Sequence, residues 1–217
     1  MKIEYKIIKN ELSGNQRKLL EMIFRNLKIE FDYYLEYFTK DEKSVPIEEL
    51  YEYNERAYIG FLNNAMVRGD ISLNYYTLQE YCVKNNKTRK SGRADFLILD
   101  INNREYYLIE AKQRYTTENA DIESEKKNPN GTREYLNEIL GQAESYIHAD
   151  REFFENKNLF SCALVFESVV LNSSSTPDEY IKKPDTTSIP GYFYACYYMQ
   201  NINRVLNVYG LIKEFSF

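Results

Sequence analysis

Asp95, Glu110 and Lys112 have the types and spacing to hold a divalent cation against a phosphate. They bracket a stretch, Gly92 to Gln113, that reads as two apolar strands joined by a tight turn. Phe96 to Leu99 and Tyr106 to Ile109 are aliphatic and aromatic, as buried strands are. Asn102-Asn103 tolerate positive φ, so the pair predicts a two-residue hairpin loop. With that loop, Asp95 stands opposite Glu110 and Arg93 opposite Lys112. All four share one face, because side chains along a strand alternate with period 2. Carboxylates facing each other across a ladder repel, so something positive must sit beside them. Lys112 and Arg93 are one answer and a divalent metal is another. Mg²⁺ takes one or two carboxylates and completes its octahedron with water and phosphate oxygens. An acid pair with a lysine two residues beyond has the parts to hold a metal, a scissile phosphate and an attacking water. Taken alone, Glu-x-Lys in a chain that is 28% charged is a surface ion-pair cluster. The flanking strands, apolar on both faces, instead have the pattern of a buried sheet.

The elements that position these residues follow from periodicity. Residues 3–8 suit a short strand. Ser13-x-x-Gln16 is a capping-box pattern. Leu19, Leu20, Ile23, Phe24, Leu27 and Phe31 then recur at helical spacing through Phe38, predicting one long helix or two. Pro46 opens a second helix, whose apolar face carries Leu50, Tyr58, Phe61, Leu62 and Met66, with Glu55 near that face. Tyr75 to Val83 is a strand. Residues 84–93 hold five basic residues and no acid. That run is either a solvated loop or a grip on phosphates beside the acids, through Lys87, Arg89, Lys90 and Arg93. Arg114 to Gly131 is polar and predicts a mobile surface loop. A third helix carries Leu136, Ile139, Leu140, Ala143, Tyr146 and Ile147 on one stripe. Gln142 and Tyr146 lie one above the other on it. They are either a polar residue beside a core tyrosine or an amide and a phenol for a nucleic-acid backbone. Ser161 to Val170 is a buried strand, so hairpin, helix and strand together predict a crossover. Asn172 to Pro190 is a polar loop. Tyr192 to Met199 and Val205 to Phe215 are terminal strands.

These elements define an α/β class: a central mixed β-sheet flanked by helices. The 217 residues suit a single domain. Residues 1–47 form an N-terminal strand and helical extension, 48–170 the core, and 171–217 the strands that complete the sheet. The net charge of -5 excludes a molecule that is cationic all round, so any polyanion must meet a local basic patch. Three scattered cysteines lack metal-site spacing and predict buried thiols in a reducing cytoplasm. The charged start is no signal peptide, and no run has the length of a membrane span. The single histidine, His148, excludes a His-cluster metal site and suits a helix C-terminus.

Asp95 followed by Glu110-Ala111-Lys112 resembles the bipartite signature of the PD-(D/E)xK nuclease superfamily, the restriction-endonuclease-like fold. Ala94 stands where that signature often has proline. Glu55 is similar in placement to the family's first-helix acid, and Gln142-x-x-x-Tyr146 resembles the motif of the RecB-like exonuclease branch. The resemblance covers about residues 48–170. It implies that Asp95, Glu110 and the Ala111 carbonyl bind Mg²⁺ or Mn²⁺, with Glu55 supporting a second metal or positioning water. It implies that Lys112 orients or activates the attacking water, or stabilises the pentavalent phosphate. Flanking carboxylates favour the charged ammonium, which favours electrostatic stabilisation over general base. Arg93, Gln113, Gln142 and Tyr146, with Lys87, Arg89 and Lys90, become the residues that contact DNA. The reaction implied is hydrolysis of DNA phosphodiester bonds by in-line attack. The alternative is a catalytically inactive nuclease-fold module that binds DNA or protein. A homodimer or a larger nuclease complex is the assembly such a protein would enter.

Overall fold

The structure is a computed structural model and describes residues 3–9, 12–39, 55–68, 75–84, 91–120, 131–181, 190–199 and 203–217. The chain runs β1 (Ile3–Lys9), α1 (Gly14–Thr39), α2 (Glu55–Val67), β2 (Tyr75–Lys84), β3 (Ser91–Asp100) and β4 (Glu105–Thr117). It continues with α3 (Gly131–Ala149), α4 (Arg151–Phe154), β5 (Asn158–Val170), α5 (Pro177–Ile181), β6 (Tyr192–Met199) and β7 (Arg204–Phe215). The strands form one seven-stranded sheet in the order β1-β6-β7-β5-β4-β3-β2. Among the described strands only β4 and β5 pair in parallel, and α3 is the connection that parallel strands require. The fold is α/β, with a mixed sheet between helical layers.

Helix α1 starts where its capping box predicts. Gln16 N–H donates to Ser13 Oγ at 3.3 Å, and Ser13 N–H donates back to Gln16 Oε1 at 2.9 Å. It is one continuous helix to Thr39. Its apolar stripe packs with α2 against one sheet face, through Phe24, Leu27 and Phe31 from α1 and Tyr58, Leu62 and Met66 from α2. Aromatic edges and faces interlock there: Phe31 meets Tyr197 edge-on at 5.1 Å, and Tyr58 stacks on Phe166 at 4.7 Å. Asn26 Nδ2 donates to the Ala65 carbonyl at 2.8 Å and fixes α1 against α2. Helix α3 covers the other face, with Leu136, Ile139 and Leu140 over β5 to β7 and Ile147 over β3 and β4.

Three expectations need correction. The β3–β4 hairpin turns through four residues, 101–104, and the positive φ falls on Arg104 at 55°. The cause is Asp100, whose carboxylate accepts Asn103 N–H at 3.0 Å and Asn103 Nδ2–H at 2.8 Å, closing a wider turn. The segment from Arg114 is not a loop: β4 runs on to Thr117, because pairing with β5 continues as far as Thr117 opposite Val170. Within the polar stretch after Asn172, Pro177–Ile181 is a short helix, and Tyr180 is buried in the core beneath α3. Pro46, Leu50, Lys87, Arg89 and Lys90 lie outside the described residues.

Candidate active site

Strands β3 and β4 keep the predicted register, from Asp100 opposite Glu105 to Phe96 opposite Ile109. The ladder ends there, one position short of Asp95 and Glu110. On the other side of β3, pairing with β2 passes from Gln79–Phe96 to Tyr81–Ala94 and skips Glu80 and Asp95. Glu80 has φ 50°, a left-handed conformation that a non-glycine residue adopts only where its surroundings enforce it. Asp95 therefore sits at a break in both ladders. Its Oδ2 accepts Ala111 N–H at 2.7 Å, supplying the acceptor that the parted strands no longer provide.

Glu110 and Lys112 follow Leu108 with period 2, so they face α3, as Asp95 does. Lys112 Nζ lies 2.7 Å from Glu110 Oε1, with side-chain exposures of 28% and 6%. The second oxygen, Glu110 Oε2, is buried without a hydrogen bond. Tyr146 closes the site from α3. Burial raises its phenol above the ordinary tyrosine range; the charges of Glu110 and Asp95 raise it further, and Lys112 opposes them. All three predicted groups thus lie within electrostatic reach of one hydroxyl. The ring rests on Gly92, where a Cβ would stand 2.5 Å from Tyr146 Cε1. Glycine at the start of β3 is what lets α3 settle so low over the acids.

The remaining predicted residues separate from this cluster. Arg93 is not opposite Lys112: its Nη1 pairs with Glu80 Oε2 at 2.9 Å, and its side chain is 65% exposed. The break at Asp95 is the reason, since β3 and β4 are no longer paired where Arg93 stands. Gln113 follows Lys112 in sequence but alternates to the α1 face, where its Nε2 donates to Tyr115 Oη. Gln142 lies one turn before Tyr146 on α3 and is half-buried. Glu55 is the first residue of α2, and its side chain lies outside the described residues. His148 lies in the last turn of α3, with its ring against Phe215 and Phe217. Arg114, assigned from sequence to a loop, lies two residues beyond Lys112 on the same face. Period 2 carried past Lys112 was the signal that would have found it.

The same hairpin carries a second acid pair, and the contrast is informative. Asp100 and Glu105 are buried at the opposite end, on the α1 face. Asp100 holds the turn, while Glu105 accepts from Tyr107 Oη at 2.5 Å and Asn15 Nδ2 at 3.3 Å. Their charges, after burial itself, push the Tyr75 phenol up to about 12. These carboxylates are saturated by neutral donors of the fold and perform structural work. An open groove of about 610 Å³ adjoins Glu105 at the start of α1, between Ser13, Asn158 and Lys213, away from Asp95.

Two of the three cysteines are buried as expected, and the side chain of Cys82 lies outside the described residues. Cys162 and Cys196 are free, and burial pushes each up to about 12. Among the described residues no helix is long and apolar enough to cross a membrane. No family model, curated protein or solved structure matches the chain.

Proposed function

We propose that this protein is a metal-dependent nuclease that hydrolyses DNA phosphodiester bonds on a restriction-endonuclease-like core. The observation that carries the reading is the meeting of Asp95, Glu110 and Lys112 beneath Tyr146, at the point where β3 parts from both neighbours.

The donor set suits the metal. Among the described residues no group of three or more His, Cys, Asp or Glu side chains is assembled. Two carboxylates and a main-chain carbonyl are hard oxygen ligands of the number Mg²⁺ or Mn²⁺ takes from a protein, and they lack the nitrogen and sulfur that zinc prefers. Asp95, Glu110 and the Ala111 carbonyl would hold the ion, with Glu55 as the residue for a second one. When bound, such an ion polarises a phosphoryl oxygen and lowers the pKa of water.

The chain's own groups do the rest. Ala111 N–H fixes the Asp95 carboxylate through Oδ2 and so sets its direction. Lys112, held by Glu110, contributes positive charge to the phosphate as negative charge builds on it. Tyr146 retains its proton far above neutral pH and can donate a hydrogen bond to a phosphate oxygen. Cleavage of linear, circular and single-stranded DNA with Mn²⁺ tests the reading, with Lys112→Ala as the control. Mn²⁺-dependent cleavage that is lost in the variant supports it, and unchanged cleavage assigns the activity to a contaminant. Mn²⁺ binding that depends on Asp95, without any cleavage, would favour the inactive binding module.

A further inference from the structure

The sheet face that carries Glu110 and Lys112 continues into a cation that the reaction above does not use. Arg114 is next in the series along β4, about 6.7 Å beyond Lys112 at the rise of an extended strand. That interval is close to the spacing of neighbouring phosphates along a polynucleotide. Parallel pairing sets Arg114 opposite Glu167 of β5, and Arg114 Nε lies 3.4 Å from Glu167 Oε1. Glu167 itself is locked. Asn207 Nδ2 donates to its Oε2 at 3.2 Å and Tyr209 Oη to its Oε1 at 3.4 Å. Asn207 is in turn fixed by Tyr194, whose hydroxyl donates to Asn207 Oδ1 at 2.8 Å. Side chains from β6 and β7 thus hold one carboxylate, and that carboxylate orients one guanidinium.

The exposures separate two roles for this pair. Glu167 is 5% exposed, whereas Arg114 is 33% exposed. The carboxylate is out of reach of solvent, and the guanidinium is the part of the pair that a ligand can meet. Arg114 engages Glu167 through Nε, hydrogen-bonds the Tyr209 hydroxyl, and keeps a third of its side chain in solvent. Arginine has five donors in a planar fork suited to phosphate. In a chain of net charge -5, a polyanion needs such a local foothold.

We propose that Arg114 forms a phosphate subsite for the polynucleotide backbone, adjacent to the phosphate held at Asp95, Glu110 and Lys112, with Glu167 as its positioning residue. The subsite rests on the nuclease reading and adds the register in which the strand lies, along β4 from Lys112 towards Thr117.

The test is equilibrium binding of fluorescein-labelled single- and double-stranded oligonucleotides, measured by anisotropy with divalent metal chelated, between 50 and 200 mM salt. Arg114→Gln alone would leave a buried carboxylate uncompensated and can lower stability for that reason. The informative variant is therefore Arg114→Gln with Glu167→Gln, which retains the wild-type net charge and a neutral network. The expected result is a folded protein that binds about 10-fold more weakly at low salt. The slope of log K against log salt should fall by about 0.9 on duplex or 0.7 on single strand, the signature of one lost phosphate contact. Wild-type affinity and slope in this variant would overturn the subsite and leave Arg114 as a counter-ion, with the nuclease reading intact. Absence of nucleic-acid binding by the wild-type protein in either form, both under chelation and with Ca²⁺ in place of the chelator, would overturn both.

Discussion

Asp95 has two duties, and two substitutions separate them. Its carboxylate accepts the Ala111 amide at 2.7 Å, and it lies beside the negative Glu110 under Tyr146. Asp95→Ala removes a hydrogen bond to a charged acceptor and leaves the amide without that partner. The loss is about 2 kcal/mol, within the range for such bonds. For a chain of this length that lowers Tm by roughly 4–8 °C. Asp95→Asn keeps an oxygen for the amide, so a neutral bond of about 1 kcal/mol remains. It also removes a like charge from the neighbourhood of Glu110, a gain of about 0.2–1 kcal/mol. Its Tm should stay within about 4 °C of the wild type. Activity should not follow stability: both variants lose the carboxylate, and Mn²⁺-dependent cleavage should fall by roughly 100-fold or more in each. Thermal unfolding by circular dichroism beside a plasmid-nicking assay reads both duties. An asparagine variant as unstable as the alanine variant would refute the hydrogen-bond reasoning. An asparagine variant that cleaves at the wild-type rate would remove Asp95 from the site altogether.

Gly92→Ala places a methyl group 2.5 Å from the Tyr146 ring and should cost about 1–3 kcal/mol while lifting the ring from the acids; a crystal structure with Tyr146 unmoved and wild-type activity would contradict this. Tyr81, Tyr107, Tyr146, Tyr194 and Tyr209 have phenols held above the ordinary value of 10.0 chiefly by burial, and Tyr75 is raised to about 12. The folded state thus keeps protons that the unfolded chain releases near pH 10. Their contribution is complete below about pH 10 and is lost as pH rises through the folded values. Urea midpoints should therefore fall steeply above pH 10, and a flat profile to pH 12 would show the phenols to be solvated. Ser13→Ala removes one half of the α1 capping box and should lower stability by about 1 kcal/mol, read as a shift in urea midpoint; an unchanged midpoint would show that the cap contributes nothing.

The hairpin shows how far local pattern reaches. A two-residue loop at 102–103 and the observed four-residue loop at 101–104 share a centre, so both pair Phe96 with Ile109. Register follows from burying apolar residues on both faces, and it survived an error in turn length caused by the side chain of Asp100. Gln113 was within reach of the same argument, since alternation alone sends it away from Lys112. Arg93 was not, because the strand break at Asp95 depends on the backbone of Glu80 in another strand. Arg114 was hidden for a related reason: Arg114 to Thr117 is polar enough for a loop and becomes strand only through β5.

Read as a string, the chain specifies its long helices, the apolar bodies of its strands, the start of α1 and the register of the central hairpin. Those depend on sterics, capping and hydrophobic periodicity within a few residues. Which charges meet is a different matter. Tyr146 reaches Asp95 and Glu110 because α3 folds back over Gly92, and Arg114 finds Glu167 because β5 returns parallel to β4. Such encounters are set by the packing of distant segments, for which no local spacing is a substitute.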